Sequence, residues 1–314
     1  MYHLLTIASI ALTVLLTLSA PGAYIHAASP PVMKSKTLFT LEGNYRQPSD
    51  VVAGTNDRIY VLDGVNNRVQ VHASGGDHLF FFGTTGNGNG QFNFPLGIGI
   101  DDTNRIYVAD SGNHRVQIFS PEGTFLAKLS TETDPNQIKP SDPTDVAAYL
   151  PLKRCYVVDN DNHRLIIYNL ETMQPLKSEG VMGMDKKEFR FPFMLDIDSR
   201  GNLYVVEVIN TRVKVLDPEG SYSTNIGDWG VEAGQFYRPK GVAIDAGGRV
   251  FVSDSYLGVI QVFDGEGRFL FVLGDEKGNV KKFKTPTGIF IDKKQRLYVV
   301  EMLADRVRVM QLPD

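Results

Sequence analysis

The sequence predicts an all-β chain folded as a six-bladed β-propeller of four-stranded antiparallel blades. A block of short apolar runs separated by turn chemistry, four in its fullest copy, recurs six times. The proline that opens each copy (Pro48, Pro95, Pro143, Pro192, Pro239, Pro286) returns at spacings of 47, 48, 49, 47 and 47 residues. The second run of every copy has an aromatic at its second position and a carboxylate at its fifth. Runs of β-branched and aromatic residues that alternate with period two, broken by Gly, Asp, Asn and Pro clusters, are strands joined by tight turns. Such a unit cannot bury its faces alone, and six copies at this period stack radially.

The copy from Phe94 to Leu129 shows the pattern most fully. Gly97–Ile100 is its first run, and Asp101, Asp102 and Asn104 make the turn. Ile106–Ala109 follows, ended by Asp110, Ser111, Gly112 and Asn113. Val116–Phe119 closes at Pro121-Glu122-Gly123, and Thr124–Leu129 is the fourth run. The second run recurs as Ile59–Asp63, Cys155–Asp159, Leu203–Glu207, Val250–Asp254 and Leu297–Glu301.

In chain order, residues 1–28 read as a secretory leader. Leu4–Leu18 is apolar and uncharged, shorter than the roughly 20 residues of a spanning helix, and small residues surround Ala27 and Ala28. An uncleaved anchor is the alternative, because the first residues lack Lys and Arg. Pro30–Lys36 reads as a short exposed lead. Residues 37–41 alternate like a strand but precede the first proline, whereas the last copy has only three runs. This predicts that residues 37–41 complete blade 6 and close the ring, an arrangement that pairs an otherwise open edge. Blades 1 to 5 are expected near 48–82, 95–129, 143–178, 192–226 and 239–273, within one domain spanning 37–314. Blade 3 is the least regular, with Leu150-Pro151-Leu152-Lys153 in place of a tight turn.

The net charge of −4 and pI of about 5.9 argue against nucleic-acid binding through a general positive field. The one cysteine, Cys155, fills a slot held elsewhere by Ile or Leu or Val, so it reads as a buried, inert hydrophobe.

The run Phe92-Asn93-Phe94-Pro95-Leu96-Gly97-Ile98, with Tyr107–Asp110 and Asn113-His114-Arg115-Val116-Gln117-Ile118-Phe119, resembles the NHL repeat. The resemblance covers residues 37–314 and, with the leader, points to the exported bacterial type of this family. It implies a six-bladed propeller but no single function. NHL members serve as protein-binding or RNA-binding modules and as sensors, and relatives include the peptidyl-hydroxyglycine lyase and, more distantly, metal-dependent lactonase and arylesterase propellers. Blade 5 departs from the pattern with Ser255-Tyr256-Leu257-Gly258-Val259, and blade 6 with Met302-Leu303-Ala304-Asp305-Arg306.

The recurring carboxylates, Asp63, Asp110, Asp159, Glu207, Asp254 and Glu301, read as structural acceptors for loop amides and for the arginine five residues on. His114 and His163 occupy equivalent slots in adjacent blades. With Asp110 and Asp159 they are the alternative metal set, for zinc or calcium, although no third histidine joins them. No G-x-S-x-G, H-E-x-x-H, P-loop or C-x-x-C occurs.

In a meander of this kind the loops between second and third strands share one face, here the top, with the loops between blades. On blades 4 to 6 the top tips are apolar: Val208 and Ile209, Tyr256 and Leu257, Met302 and Leu303, with Trp229 and Tyr237 nearby in sequence. On blades 1 to 3 the same tips are mostly polar. Interblade segments 185–190, 227–240 and 274–285 together carry a net +3, against −2 for 130–142. Apolar loop tips meet a partner or plug the axis. The expectation is a periplasmic or secreted scaffold, a monomer or part of an envelope complex, that binds a protein or peptide through these residues. It carries no cofactor, nucleic acid or membrane span after leader removal. The alternative is a metal-dependent lyase or hydrolase that uses an axial pocket.

Overall fold

The protein is described by a computed structural model over residues 29–132 and 139–313. The segment read as a leader, residues 1–28, lies outside the described residues. Among the described residues, no helix is long and apolar enough to cross a membrane.

Six antiparallel sheets surround an axis. Blade 1 comprises Asp50–Ala53, Arg58–Asp63, Arg68–Ala73 and His78–Phe82. Blade 2 comprises Gly97–Ile100, Ile106–Asp110, Arg115–Phe119 and Phe125–Ser130. Blade 3 comprises Pro143–Tyr149, Arg154–Asp159, Arg164–Asn169 and Gln174–Glu179. Blade 4 comprises Pro192–Ile197, Leu203–Glu207, Arg212–Leu216 and Tyr222–Ile226. Blade 5 comprises Pro239–Ile244, Val250–Asp254, Val259–Phe263 and Phe269–Gly274. Blade 6 takes Pro286–Ile291, Arg296–Glu301 and Arg306–Gln311 from the end of the chain. Its outer strand is Lys36–Glu42, antiparallel to Arg306–Gln311, with Leu41 opposite Val307. First strands of neighbouring blades pack on one another around the axis.

The core lies between blades. Each adjacent pair shares an apolar cluster, such as Tyr60, Leu62, Val69, Ile98 and Val108 between blades 1 and 2. A twisted sheet is apolar on both faces here because each face meets a neighbour. The recurring aromatic of the second strand is the largest element of this packing. Tyr60, Tyr107, Tyr156, Phe251 and Tyr298 are fully buried. The hydroxyls of Tyr60 and Tyr156 donate to the carbonyls of Pro121 and Pro218, in the turn of the next blade. Cys155 is buried in the cluster between blades 2 and 3. Burial pushes its thiol far above the usual range.

Gly83 and Gly227 open interblade loops with φ of 95° and 76°. A Cβ there would lie 2.3 Å and 2.2 Å from the buried rings of Phe92 and Phe236, so no larger residue fits.

The segment Pro30–Lys36, read from the sequence as an exposed lead, is instead structured. Val32–Lys34 adds a fifth strand to blade 5, parallel to Phe269–Gly274. Met33 is buried in the cluster between blades 5 and 6, and the Ser35 hydroxyl donates to the Gly274 carbonyl at 2.6 Å. A three-residue strand with a single buried side chain gives no periodic signal, since its pairing rests on backbone groups.

Candidate functional site

The top face is built on six carboxylate sockets. Each recurring acid ends a second strand and is withdrawn from water. Asp110 shows the scheme. Its Oδ1 accepts from the Asn93 amide, 2.8 Å away in the preceding interblade loop. Its Oδ2 accepts from the Arg115 Nε at 2.7 Å and the Gln117 Nε2 at 3.0 Å, and Asn113 donates as well. The Arg115 guanidinium then reaches the carbonyls of Asn87, Gly88 and Gln91, which explains the glycine-rich loop there. Asp63, Asp159 and Glu207 hold the equivalent loops through Arg68, Arg164 and Arg212. For Glu301, burial works to raise the pKa, but hydrogen bonds from Arg306, the Lys284 amide and Arg308 hold it below the usual range. Charged hydrogen bonds of this kind fix loop geometry.

Blade 5 lacks the asparagine and the arginine. Asp254 accepts four main-chain amides instead: Tyr237 and Arg238 on Oδ2, Tyr256 and Leu257 on Oδ1. This brings Tyr237 and Tyr256 together, with ring centroids 4.2 Å apart and planes tilted by 32°. Trp229 and Tyr256 are 70% and 62% exposed. Ile209, Leu303 and Tyr237 are also exposed, while Val208, Leu257 and Met302 are half-buried. The same interblade loops expose Val181, Met182, Met184 and Val231, which sequence reasoning missed. The signal was present as the run Val181-Met182-Gly183-Met184 inside a loop.

The alternative metal set does not converge. Asp110 and Asp159 are occupied in their sockets. His114 and His163 each follow a loop at φ of 55° and 54°, in the left-handed slot also taken by Asn67 and Asp305. Asn, Asp and His are enriched in that conformation, which accounts for the histidines. The His114 Nδ1 lies against the Ser141 carbonyl, and the His163 Nδ1 accepts from the Phe191 amide at 3.2 Å. Burial, then the charge of Lys139, holds the His163 pKa below its ordinary value. Among the described residues, no group of three or more His, Cys, Asp or Glu side chains is placed to hold a metal ion.

An axial cavity of about 720 Å³ opens on the opposite face, among the turns that follow the first strands. His114, His163, Asp110 and Asp159 are not among its lining residues. Deep within it stand Asp50, Asp145 and Asp196. Each accepts the amide of its own next residue and one from the first strand of the next blade: Ile98, Leu195 and Ile244 at 3.0, 2.8 and 2.9 Å. No cation pairs with them among the described residues. Burial pushes Asp50 and Asp196 up to about 7, and burial with the charge of Asp50 raises Asp145 well above its ordinary value. Sequence reasoning missed this trio. Two of its members are readable: the slot two residues after the anchor proline is Gly97, Gly241 and Gly288 in three blades but Asp50 and Asp145 in two others.

Six radial sheets, joined by buried carboxylate sockets around a central cavity, define a six-bladed β-propeller. The NHL repeat model matches residues 45–71 and 92–119, so the propeller carries NHL repeats in its first two blades. No curated protein matches the sequence. Among solved structures it is similar to a gluconolactonase from Xanthomonas campestris, at 16% identity and a TM-score of 0.65, over 91% of this chain and 96% of that one. It is also similar to a streptogramin B lyase, at 11% identity and a TM-score of 0.63, over 88% and 97%. The virginiamycin B lyase of Staphylococcus aureus gives 14% identity and a TM-score of 0.59, over 84% and 80%. At such identities the likeness establishes the fold alone.

Proposed function

We propose that this propeller is an exported scaffold that binds a protein or peptide segment through its top face over blades 4 to 6. One observation carries the reading: the stacked and exposed pair Tyr237 and Tyr256, flanked on neighbouring blades by exposed Ile209, Trp229 and Leu303. Rigid aromatics held on buried sockets present large contact area at low entropy cost, the property of binding hot spots. The net positive charge of the surrounding loops favours a partner segment that is apolar and acidic. The test is the combined substitution Tyr256→Ser, Leu257→Ser, Met302→Ser and Leu303→Ser, followed by cross-linking in the native envelope. The expected result is an unchanged circular dichroism spectrum with loss of the cross-linked partner. Retained cross-linking by the folded variant would overturn the surface. Export is tested by the mass of the purified N-terminus, with cleavage expected near Ala27 or Ala28.

The axial cavity favours a second reading, a lyase or hydrolase acting on a small molecule. Pockets of this volume suit small ligands. Carboxyls that still hold protons near neutrality have the state required of a general acid. The structural relatives, lyases and a gluconolactonase, suggest the reactions to screen first. Turnover of a lactone or ester that is lost in Asp50→Asn and Asp196→Asn would favour this reading over the scaffold.

A further inference from the structure

Lys240 is the second residue of the first strand of blade 5, at the top of the ring and next to the axis. The equivalent residues of the other blades are Ser49, Leu96, Thr144, Phe193 and Thr287, so the repeat does not require a cation there. Its ammonium lies 4.0 Å from the centre of the Phe193 ring of blade 4. It is half-buried, yet it makes no hydrogen bond or ion pair among the described residues. Burial, and then the like charge of Arg238, lowers its pKa. The Arg238 side chain, two residues away and exposed, is also without a partner; only its main chain is engaged. The contrast with Lys214 is direct. Lys214, fully buried in blade 4, lies 3.8 Å from Glu207 and donates to carbonyls of the interblade loop.

A cation drawn out of water without an anion is unfavourable unless something compensates it. The Phe193 ring supplies part of that compensation. The acids of the central cavity do not, because Asp50, Asp145 and Asp196 each engage two main-chain amides further along the strands. The position thus combines an aromatic platform, a desolvated ammonium and an exposed guanidinium beside the Tyr237 ledge.

We infer that Lys240 and Arg238, with Phe193 as platform, form a carboxylate-binding site at the axial edge of the top face, which takes an acidic group of the docked peptide. This rests on the reading of the top face as a docking surface. The carboxylate belongs either to a peptide C-terminus or to an acidic side chain. Phosphate is disfavoured by the overall acidity of the chain and by the apolar surround.

The test uses the whole mature protein with its lysines reductively ¹³C-methylated, which preserves their charge. The Lys240 resonance is assigned by its absence in Lys240→Arg and in Lys240→Met. N-acetyl-phenylalanine as the free acid is titrated against its amide and against N-acetyl-Phe-Glu-amide, which carries only a side-chain carboxylate. The expected result is a saturable shift of the Lys240 signal by one or both acids, with the neutral amide at least tenfold weaker. Which acid binds more tightly identifies the source. The Lys240→Met protein, followed by backbone resonances, should lose the preference for acid over amide, and Lys240→Arg should retain most of it. Equal response to acid and amide, no response to either acid, or a response to inorganic phosphate as strong as to the acids would overturn the site. The four-serine variant leaves Lys240 and Arg238 intact. Partner capture by that variant would remove the docking surface while the carboxylate titration still stands or falls alone.

Discussion

Tyr237 and Tyr256 stack at 4.2 Å because one buried carboxylate, Asp254, accepts the main-chain amides of both. The socket that elsewhere binds an arginine has become, in blade 5, a clamp between two loops. In Asp254→Ala four amides lose their acceptor at once. A buried unsatisfied amide costs about 1–3 kcal/mol, so the variant should lose about 3 kcal/mol or more. Near-ultraviolet circular dichroism should lose the tyrosine signal of the pair. An unchanged melting temperature with an unchanged tyrosine band would refute the clamp.

The N-terminal strands should matter to the whole ring. Removing residues 30–42 strips the outer strand of blade 6 and the added strand of blade 5, and takes Leu41 from the cluster it shares with Val307 and Val309. The expected outcome is a lower melting temperature for a single cooperative transition. Unfolding that stays unchanged, or a separate low-temperature step confined to blade 6, would show that the strands are accessory.

Stability should depend on pH through the axial aspartates. Asp50 and Asp196 have an ordinary pKa of 3.8 and are pushed up to about 7 in the fold, chiefly by burial. Between those values the folded chain holds protons that the unfolded chain has released. The contribution of these groups is therefore largest near pH 4, declines as pH rises towards 7, and is constant above it. The double variant Asp50→Asn, Asp196→Asn does not titrate there. Its deficit relative to the parent should shrink between pH 5 and pH 8 by on the order of 2 kcal/mol per group. Parallel stability curves from chemical denaturation would contradict this.

The Cys155 thiol should be silent in the native state. It is fully buried, and burial holds it protonated. Ellman's reagent should report no thiol on the folded protein and one equivalent in denaturant. Fast labelling of the native protein would show that the interface between blades 2 and 3 opens.

The ring and its blades were legible because period-two patterning, turn residues and the anchor prolines all repeat, and each repeat confirms the others. The sockets were legible for the same reason, since an acid and an arginine five residues apart recur. What escaped were features that occur once. Val32–Lys34 pairs through backbone alone, Met182 and Met184 lie in a loop without periodicity, and Lys240 is a single departure in a slot of no fixed type. The axial aspartates fell between these cases. Asp50 and Asp145 stand at the glycine slot and could be noticed. Asp196 stands two positions later, where the period-two alternation of the strand turns it to the same cavity.

The pairing of Lys36–Glu42 with Arg306–Gln311 has a consequence for how the chain is made. A ribosome releases the partner of Lys36–Glu42 only long after that strand itself has emerged. Until then Phe39 and Leu41 have no sheet to join. Blades 1 to 5 each draw four strands from a continuous stretch and can assemble as they are released, whereas blade 6 must wait for the chain to meet its own beginning. Such long-range pairing slows the final step and lengthens the interval in which an unpaired edge can join another molecule. An exported chain would complete that step beyond the membrane, with both ends delivered in order and joined only there.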